Sequence, residues 1–554
     1  MLIEDQSISA IRELWRTLYQ GEHQELLDSF VRALEKFRSE HQLAPLPAEW
    51  YKDVVVYSLY VDKFNGTFEG LTERLDYLQS LGVTCLWLLP ILRSPMKDAG
   101  FDISDFTKVR PELARGEDAE AAFDGFVQAA HERGISIIFD IAFNHSSIEH
   151  PWFQAAEGDK DSPYRDYYIW SDTDRLYGEA RIIFKGMMES NWTRLGDQYY
   201  FHRFFDIQPD LNYRNPRVLG EMALMLAGWL ARGVDGFRAD AIPYLWKAPG
   251  TNCENLPETH TILKIFRAVC DFVRPGTILL AEANQPPREV AAYFGEGDEC
   301  LAAYHFPLMP RLYKALATAE RRAIIDALDE GFTPAIPANC RWFVFLRCHD
   351  ELTLEMVTPE ERVLVYGYFV SDPAWDFRQG EGISARLATL LENDSRRINL
   401  MHGILLTLLG TPVIYFGDEV GSGNDQEHHT AQVIATGYHD SRHLVRGPMD
   451  WPRIESDLAE PSSLASLVFY PLRDLIAGRR VHRALTRGKL EFDDMGDERV
   501  LAYTRTLGDE SVRIMANLSA DQVELATGTL APYEFAISDS VRVYAPGPPL
   551  QVHG

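Results

Sequence analysis

The sequence predicts an α/β fold: a (β/α)8 TIM barrel with a lid domain inserted after the third strand, an N-terminal helical extension and a C-terminal antiparallel β domain. Three observations lead to it. Eight short apolar runs alternate with amphipathic stretches, the pattern of a closed parallel sheet. Four of those runs lead into a carboxylate, at the strand ends that form the active face of such barrels. One strand-to-helix connection is about 75 residues long, a length that compact domains reserve for a functional loop or a small domain of its own.

In chain order, residues 7–41 place Ile11, Leu14, Leu18, Leu26, Leu27, Phe30, Leu34 and Phe37 at three- and four-residue steps among charges, a helical pattern. Ala44-Pro45-Leu46-Pro47 breaks it. This extension, residues 1–50, either covers a face of the main domain or makes a homodimer contact. The barrel is assigned to residues 51–140 and 216–451. Its runs are Val54 to Tyr57, Cys85 to Leu89, Ile135 to Phe139, Gly236 to Arg238, Ile278 to Ala281, Ala302 to Phe306, Trp342 to Leu346 and Val413 to Phe416. Helical patterns such as Leu71 to Leu81, Ala119 to Arg133 and Val218 to Arg232 separate them. Residues 141–215, rich in Trp, Tyr, Phe, Asp and Arg, form the inserted domain. Residues 452–554 carry a helical stretch to about residue 483, then Arg499 to Tyr503, Val512 to Ala516 and Tyr533 to Ala536, spaced as short antiparallel strands.

The formal net charge of −28 disfavours nucleic acid and anionic membrane as partners. The start lacks a basic region followed by an apolar one, and no run approaches 18 apolar residues, so a cytoplasmic location is expected. Cys85, Cys253, Cys270, Cys300, Cys340 and Cys348 show no CxxC pair or metal-ligand spacing and are expected as free thiols.

The four acidic strand ends carry the chemistry. Ile137-Ile138-Phe139-Asp140 leads into Ala142-Phe143-Asn144-His145; Gly236-Phe237-Arg238-Ala239 ends at Asp240; Ile278 to Ala281 delivers Glu282; Phe343 to Leu346 runs through Cys348-His349 to Asp350. Each alone is a common feature of large enzymes. Together, with Arg238 two residues before Asp240 and His349 beside Asp350, they match what retaining sugar transfer requires: a nucleophile, an acid/base, and further groups that hold the ring as it gains positive charge.

These stretches resemble the conserved regions of glycoside hydrolase family 13, the α-amylase family, over about Tyr51 to Trp451. Gln208-Pro209-Asp210-Leu211-Asn212 resembles the mark of its oligo-1,6-glucosidase-like branch. Within that branch the chain is most similar to the trehalose synthases, on Asp166 to Asp172, Glu189 to Thr193, Gly250 to His260, His305 to Arg311 and Asp350 to Val357. The resemblance implies Asp240 as nucleophile, Glu282 as acid/base and Asp350 as the third carboxylate. It implies Asp140 in support and Phe101, Asp102, Arg238, His145, His349 and Arg442 as substrate-binding groups, with Asp102 pairing Arg442 beyond the first glucose. Three departures stand out. Phe101 replaces the family's active-site Tyr, Cys348 stands where Asn is usual, and Asp62 to Phe68 lacks an acidic calcium loop.

The resemblance implies no required cofactor. Calcium is the one candidate, at a family site built from Asn144, Asp210 and carbonyls near Tyr244 and Leu245. Lys247 stands where that site would have a Glu, so no metal is expected there. The function implied is intramolecular isomerisation of maltose and trehalose through a covalent glucosyl-enzyme. The alternative is an α-glucosidase or transglucosylase acting on short α-glucosides such as maltose or sucrose.

Overall fold

The computed structural model describes residues 2–526, 528–539 and 543–544. Eight parallel strands close into a barrel: β1 (Val56–Leu59), β2 (Cys85–Leu88), β3 (Ser136–Ala142), β4 (Gly236–Asp240), β5 (Ile278–Ala281), β6 (Ala302–Tyr304), β7 (Arg341–Phe345) and β8 (Thr411–Tyr415). Each pairs with its sequence neighbours, and β1 pairs with β8 through Val56–Val413 and Tyr57–Ile414. All eight expected runs are these strands. Nearly every residue in them is buried, because helices cover the outside and side chains fill the inside.

The expected N-terminal helix is two helices, α1 (Leu2–Leu18) and α2 (Gln24–His41). The chain reverses between them where Gln20, Gly21 and His23 have positive φ; Gly21, at +81°, takes the left-handed conformation that glycine adopts without strain. The periodicity continues across the reversal because both helices turn an apolar face the same way, so a pattern reading alone runs them together. Both faces pack on the barrel helices α3 (Pro216–Ala231) and α4 (Pro257–Val273). Trp15 is fully buried, stacked on Phe30 at 5.6 Å and edge-on to Tyr19 at 5.1 Å. Tyr19 donates a 2.9 Å hydrogen bond to the Tyr213 carbonyl.

Two segments sit over the C-terminal ends of the strands. The first, within 141–215, holds a three-stranded antiparallel sheet of Trp170–Ser171, Gln198–Phe201 and Trp192–Leu195. The second was not foreseen. Between β7 and α5 (Ser395–Thr407) lies a small sheet of Leu352–Thr353, Gly382–Ile383 and Asp376–Phe377 beside the helix Pro359–Phe369. Its strands are two residues long, below what alternation can reveal.

The C-terminal region is a five-stranded antiparallel sheet in the order Lys489–Asp493, Val500–Leu507, Glu510–Asn517, Phe535–Asp539, Val543–Tyr544. Buried arginines join it to the barrel floor. Arg505 donates to the carbonyls of Thr407 and Leu408, both at 2.7 Å, and Arg341 and Arg479 both reach Gly410. The carbonyls at the end of α5, which have no partner within the helix, are thereby satisfied. All six cysteines are free and buried. Among the described residues no helix is long and apolar enough to cross a membrane.

Replacing Trp15 by Ala opens a cavity between the hairpin and α4 and is expected to cost about 3–5 kcal/mol. Calorimetry should show a lowered Tm while kcat, set some distance away at the barrel mouth, stays unchanged.

Candidate active site

Strand register brings the four acidic motifs together. Asp140 and Arg238 are paired residues of β3 and β4, and Ala142 pairs with Asp240. Arg238 and Asp240, two apart on one strand, share its inner face. The guanidinium of Arg238 binds three carboxylates. Nη1 donates to Asp140 Oδ1 at 2.7 Å and to Asp240 Oδ1 at 2.6 Å, while Nη2 binds Glu282. Glu282 also accepts from the Ala241 amide at 3.2 Å. Asp140 is held from its other side by Trp87 Nε1 at 2.9 Å.

Burial first, and the charge of Glu282 second, push the Asp240 carboxyl well above its ordinary value, with Arg238 opposing. Burial and a neighbouring negative charge both favour the protonated form of a carboxyl. Glycosyl transfer with retention uses such a proton, carried by the acid/base while the nucleophile is ionised. Asp140 is pushed up to about 7, by burial against the pull of Arg238.

Asp350 sits opposite with a different balance. Burial works against its ionisation, but His349, Arg442 and Arg446 outweigh it and hold the carboxyl well below the usual range. His349 Nε2 lies 3.0 Å from Oδ2, and Arg442 and Arg446 each reach Oδ1 at 3.1 Å. Phe101 stacks on the His349 ring at 5.4 Å and lies 5.5 Å from the Arg238 guanidinium, so its phenyl face lines the same pocket. His145 receives a contact of 3.3 Å from Gln208 Nε2 and packs on Phe204 at 5.1 Å; burial lowers its ring to about 4, so it is neutral. Asp140, Asp240, Glu282, Asp350, Arg238, His145, His349, Phe101 and Arg442 therefore converge on one pocket.

Asp102 is a correction. The expected Asp102–Arg442 pair does not form. The carboxylate of Asp102 turns into its own loop, accepting from Ser94 Oγ at 2.8 Å and from the amides of Lys97 and Asp98 at 2.9 and 3.2 Å. Arg442 instead reaches Asp98 at 3.4 Å and Asp440 at 2.7 Å. The cause is local. Met96, Ala99 and Gly100 have positive φ, and the turn they make sends Asp98 into the pocket and folds Asp102 back. Asp98 is pushed up to about 6, by burial against Arg442 and Arg446. It also accepts from Gln208 at 3.0 Å, which links this loop to the inserted segment.

The calcium-type position does not fit calcium. Lys247 Nζ lies 2.7 Å from both Asp210 Oδ2 and Asn144 Oδ1, and 3.5 Å from the Leu211 carbonyl. The ammonium occupies the place where a cation with six or more oxygen ligands would need room.

Other pocket residues were missed by sequence reasoning. Arg446 lies four residues beyond Arg442, outside any motif. Arg181, in the inserted segment, reaches Glu254 at 2.9 Å and also binds Glu355, from the segment after β7. Asn284 Nδ2 donates to Glu355 at 2.9 Å, and Arg378 reaches it at 3.2 Å. No local spacing links these positions, which meet only through the fold.

Comparison with known proteins gives the family. The α-amylase catalytic domain profile matches residues 28–352. The chain belongs to the α-amylase family. Within it, a trehalose synthase of a Pimelobacter species is 43% identical over 514 residues, covering 85% of this chain and 87% of that protein. A trehalose synthase/amylase of Mycobacterium tuberculosis is 44% identical, covering 86% and 83%. The oligo-1,6-glucosidase of Heyndrickxia coagulans is more distant, at 28% identity over 86% of this chain and 93% of that protein. In fold, a trehalulose synthase variant in complex with Tris superposes with a TM-score of 0.70 at 24% identity, covering 88% of this chain and 99% of that one.

Two predictions follow from the site. Asp240→Asn should lose turnover by on the order of 10⁴-fold or more with an unchanged circular dichroism spectrum; retention of tens of per cent of activity would remove Asp240 as nucleophile. Prolonged chelator treatment should leave activity and Tm unchanged, because Lys247 supplies the positive charge from within; one tightly held calcium per chain by elemental analysis, lost together with activity, would contradict this.

Proposed function

We propose that this enzyme interconverts maltose and trehalose by transferring a glucosyl unit within one enclosed pocket. The observation that carries the reading is the closure of the barrel mouth by the two segments above it, in a chain whose relatives include trehalose synthases. Arg181 ties the inserted segment to Glu254 and Glu355. Lys185 pairs with Glu381 at 2.7 Å. Tyr438 packs at a tilt on Phe205 at 4.5 Å and donates to Asp206 at 2.7 Å. Phe184, Phe205, Ile207, Tyr244 and Phe377 form one apolar cluster across these segments. Beneath this cover Asp240 is 8% exposed.

The chemistry then runs in two steps. Asp240 attacks C1 of the non-reducing glucose of maltose while Glu282 gives its proton to the glycosidic oxygen. The C1–O bond breaks, and a glucosyl ester on Asp240 and one free glucose remain. Arg238 holds Asp240 in line, and Asp350, His349 and His145 bind the ring hydroxyls. The trapped glucose turns and presents its anomeric hydroxyl to C1. Glu282, now ionised, takes the proton, the ester bond breaks, and an α,α-1,1 linkage forms. Two displacements at C1 retain the α configuration. Exclusion of water decides the outcome, because water attacking the same ester gives glucose.

The test is product analysis after incubation with maltose. The parent enzyme should give trehalose with little glucose; glucose alone would establish the hydrolase. Arg181→Ala removes the tie across the mouth and should raise the glucose-to-trehalose ratio severalfold, at a smaller cost in maltose consumption.

A further inference from the structure

Arg442 reaches the pocket from the short helical turn Ser441–Val445, which follows β8. Its donors engage three carboxylates. Nε and Nη2 hold Asp440 at 2.9 and 2.7 Å, Nη1 reaches Asp350 at 3.1 Å, and Nη2 also reaches Asp98 at 3.4 Å. A guanidinium donates only in its own plane, so these bonds leave its flat faces to other partners. Two aromatic rings supply them. The guanidinium carbon lies 5.1 Å from the centre of the Phe184 ring and 4.9 Å from that of Phe377. The rings are 6.4 Å apart and inclined by 76°, so the cation sits in the corner between them. Arg442 and both rings are buried. A cation over an aromatic face is attracted by the ring quadrupole, most strongly where water is excluded.

The two rings come from the two segments of the cover. Phe377 ends the strand Asp376–Phe377 of the second segment, and its backbone is fixed to the turn that carries Arg442. Ser441 Oγ donates to the Asp376 carbonyl at 2.7 Å and lies 2.9 Å from Ser384 Oγ. Phe184 belongs to the inserted segment, packs on Phe205 of the same segment at 4.4 Å, and brings its ring to the guanidinium across the gap between the segments. Phe377 is thus a wall attached to the turn of Arg442, and Phe184 is the ring that arrives with the insert. The Lys185–Glu381 pair joins the same two segments one residue away.

We propose that Phe184 and Phe377 are positioning residues that act through Arg442. With both rings in place the guanidinium is dry and fixed, and it holds Asp350 ready for the sugar. With the inserted segment raised, water reaches the cation and its hold on Asp350 loosens. Closing the cover and tightening the sugar site are then one event. The inference rests on the reading above, in which Asp350 binds ring hydroxyls and the inserted segment covers the pocket.

The test measures maltose binding by titration calorimetry in the Asp240→Asn background, where nothing turns over. Phe184→Leu and Phe377→Leu keep an apolar side chain and remove the ring. Each should weaken binding by about tenfold, while Phe184→Tyr and Phe377→Tyr stay within about twofold of that background. The same leucine changes on top of Arg442→Gln, which keeps planar donors and loses the charge, should cost less than about twofold. A packing role alone moves both backgrounds alike. An equal loss with and without the Arg442 charge, or leucine variants that bind as tightly as the background, therefore overturns the proposal. Thermal unfolding identifies any variant that has lost its fold, and the other ring's arm then decides. Products from maltose are analysed separately with Asp240 intact. Glucose alone overturns the isomerase reading, whereas trehalose formation together with an equal loss in both backgrounds overturns only the role of the rings.

Discussion

The guanidinium of Arg238 is the interaction on which the active site depends. It is almost wholly buried and binds Asp140, Asp240 and Glu282 at once. Three carboxylates crowded at one barrel end repel one another, and burial adds to the cost of their charges. One delocalised cation with donors on a rigid fork offsets that cost for all three and fixes their directions. Lysine could not, because a point charge on a flexible stem cannot address three acceptors with defined geometry. The barrel supplies the rest: parallel register sets Asp140 beside Arg238 and Asp240 two residues beyond it, so the site inherits the rigidity of the strands.

The same logic recurs at the root of the inserted segment. Asp210 and Asn144 face inward where the segment leaves and rejoins the barrel, and the Lys247 ammonium neutralises them. A lysine at this depth is held charged only by its partner: burial lowers its proton affinity and Asp210 opposes that effect. The segment is thus anchored by a covalently attached cation rather than by an ion in exchange with solvent. The positive charge at the root of the segment therefore belongs to the chain itself.

Legibility in the sequence followed the range of the interactions. All eight barrel strands could be read because burial on both faces makes continuous apolar runs. That Asp140, Asp240 and Glu282 would meet could be read because each lies at or next to the end of such a run, and the place of Lys247 because it departs from a ligand set at a fixed position. The Asp102 assignment failed over a distance of four residues. Asp98 and Asp102 lie in one stretch, and only the left-handed turn through Ala99 and Gly100 decides which carboxylate enters the pocket. The reversal at Gly21 was hidden for a related reason, since two helices facing the same surface preserve one periodicity. The contacts of Arg181 with Glu254 and Glu355 had no local signature, because charged residues on long loops acquire partners only when the fold brings the loops together.

The division between readable and unreadable residues is also a division of chemical labour. The proposed nucleophile Asp240 ends strand β4 and the proposed acid/base Glu282 directly follows β5, so register holds both. In the proposed reading the groups that choose the acceptor stand on the two segments above, joined to each other by ion pairs and a patch of apolar contact. Such contacts are individually weak where solvent reaches them, and a cover built from them can open to admit a disaccharide and close again. In the proposed mechanism Asp240 and Glu282, held by Arg238, form the glucosyl ester. On that proposal, whether glucose or water attacks the ester is decided by the cover, through ties such as Arg181 to Glu355 and Lys185 to Glu381, rather than by the carboxylates beneath.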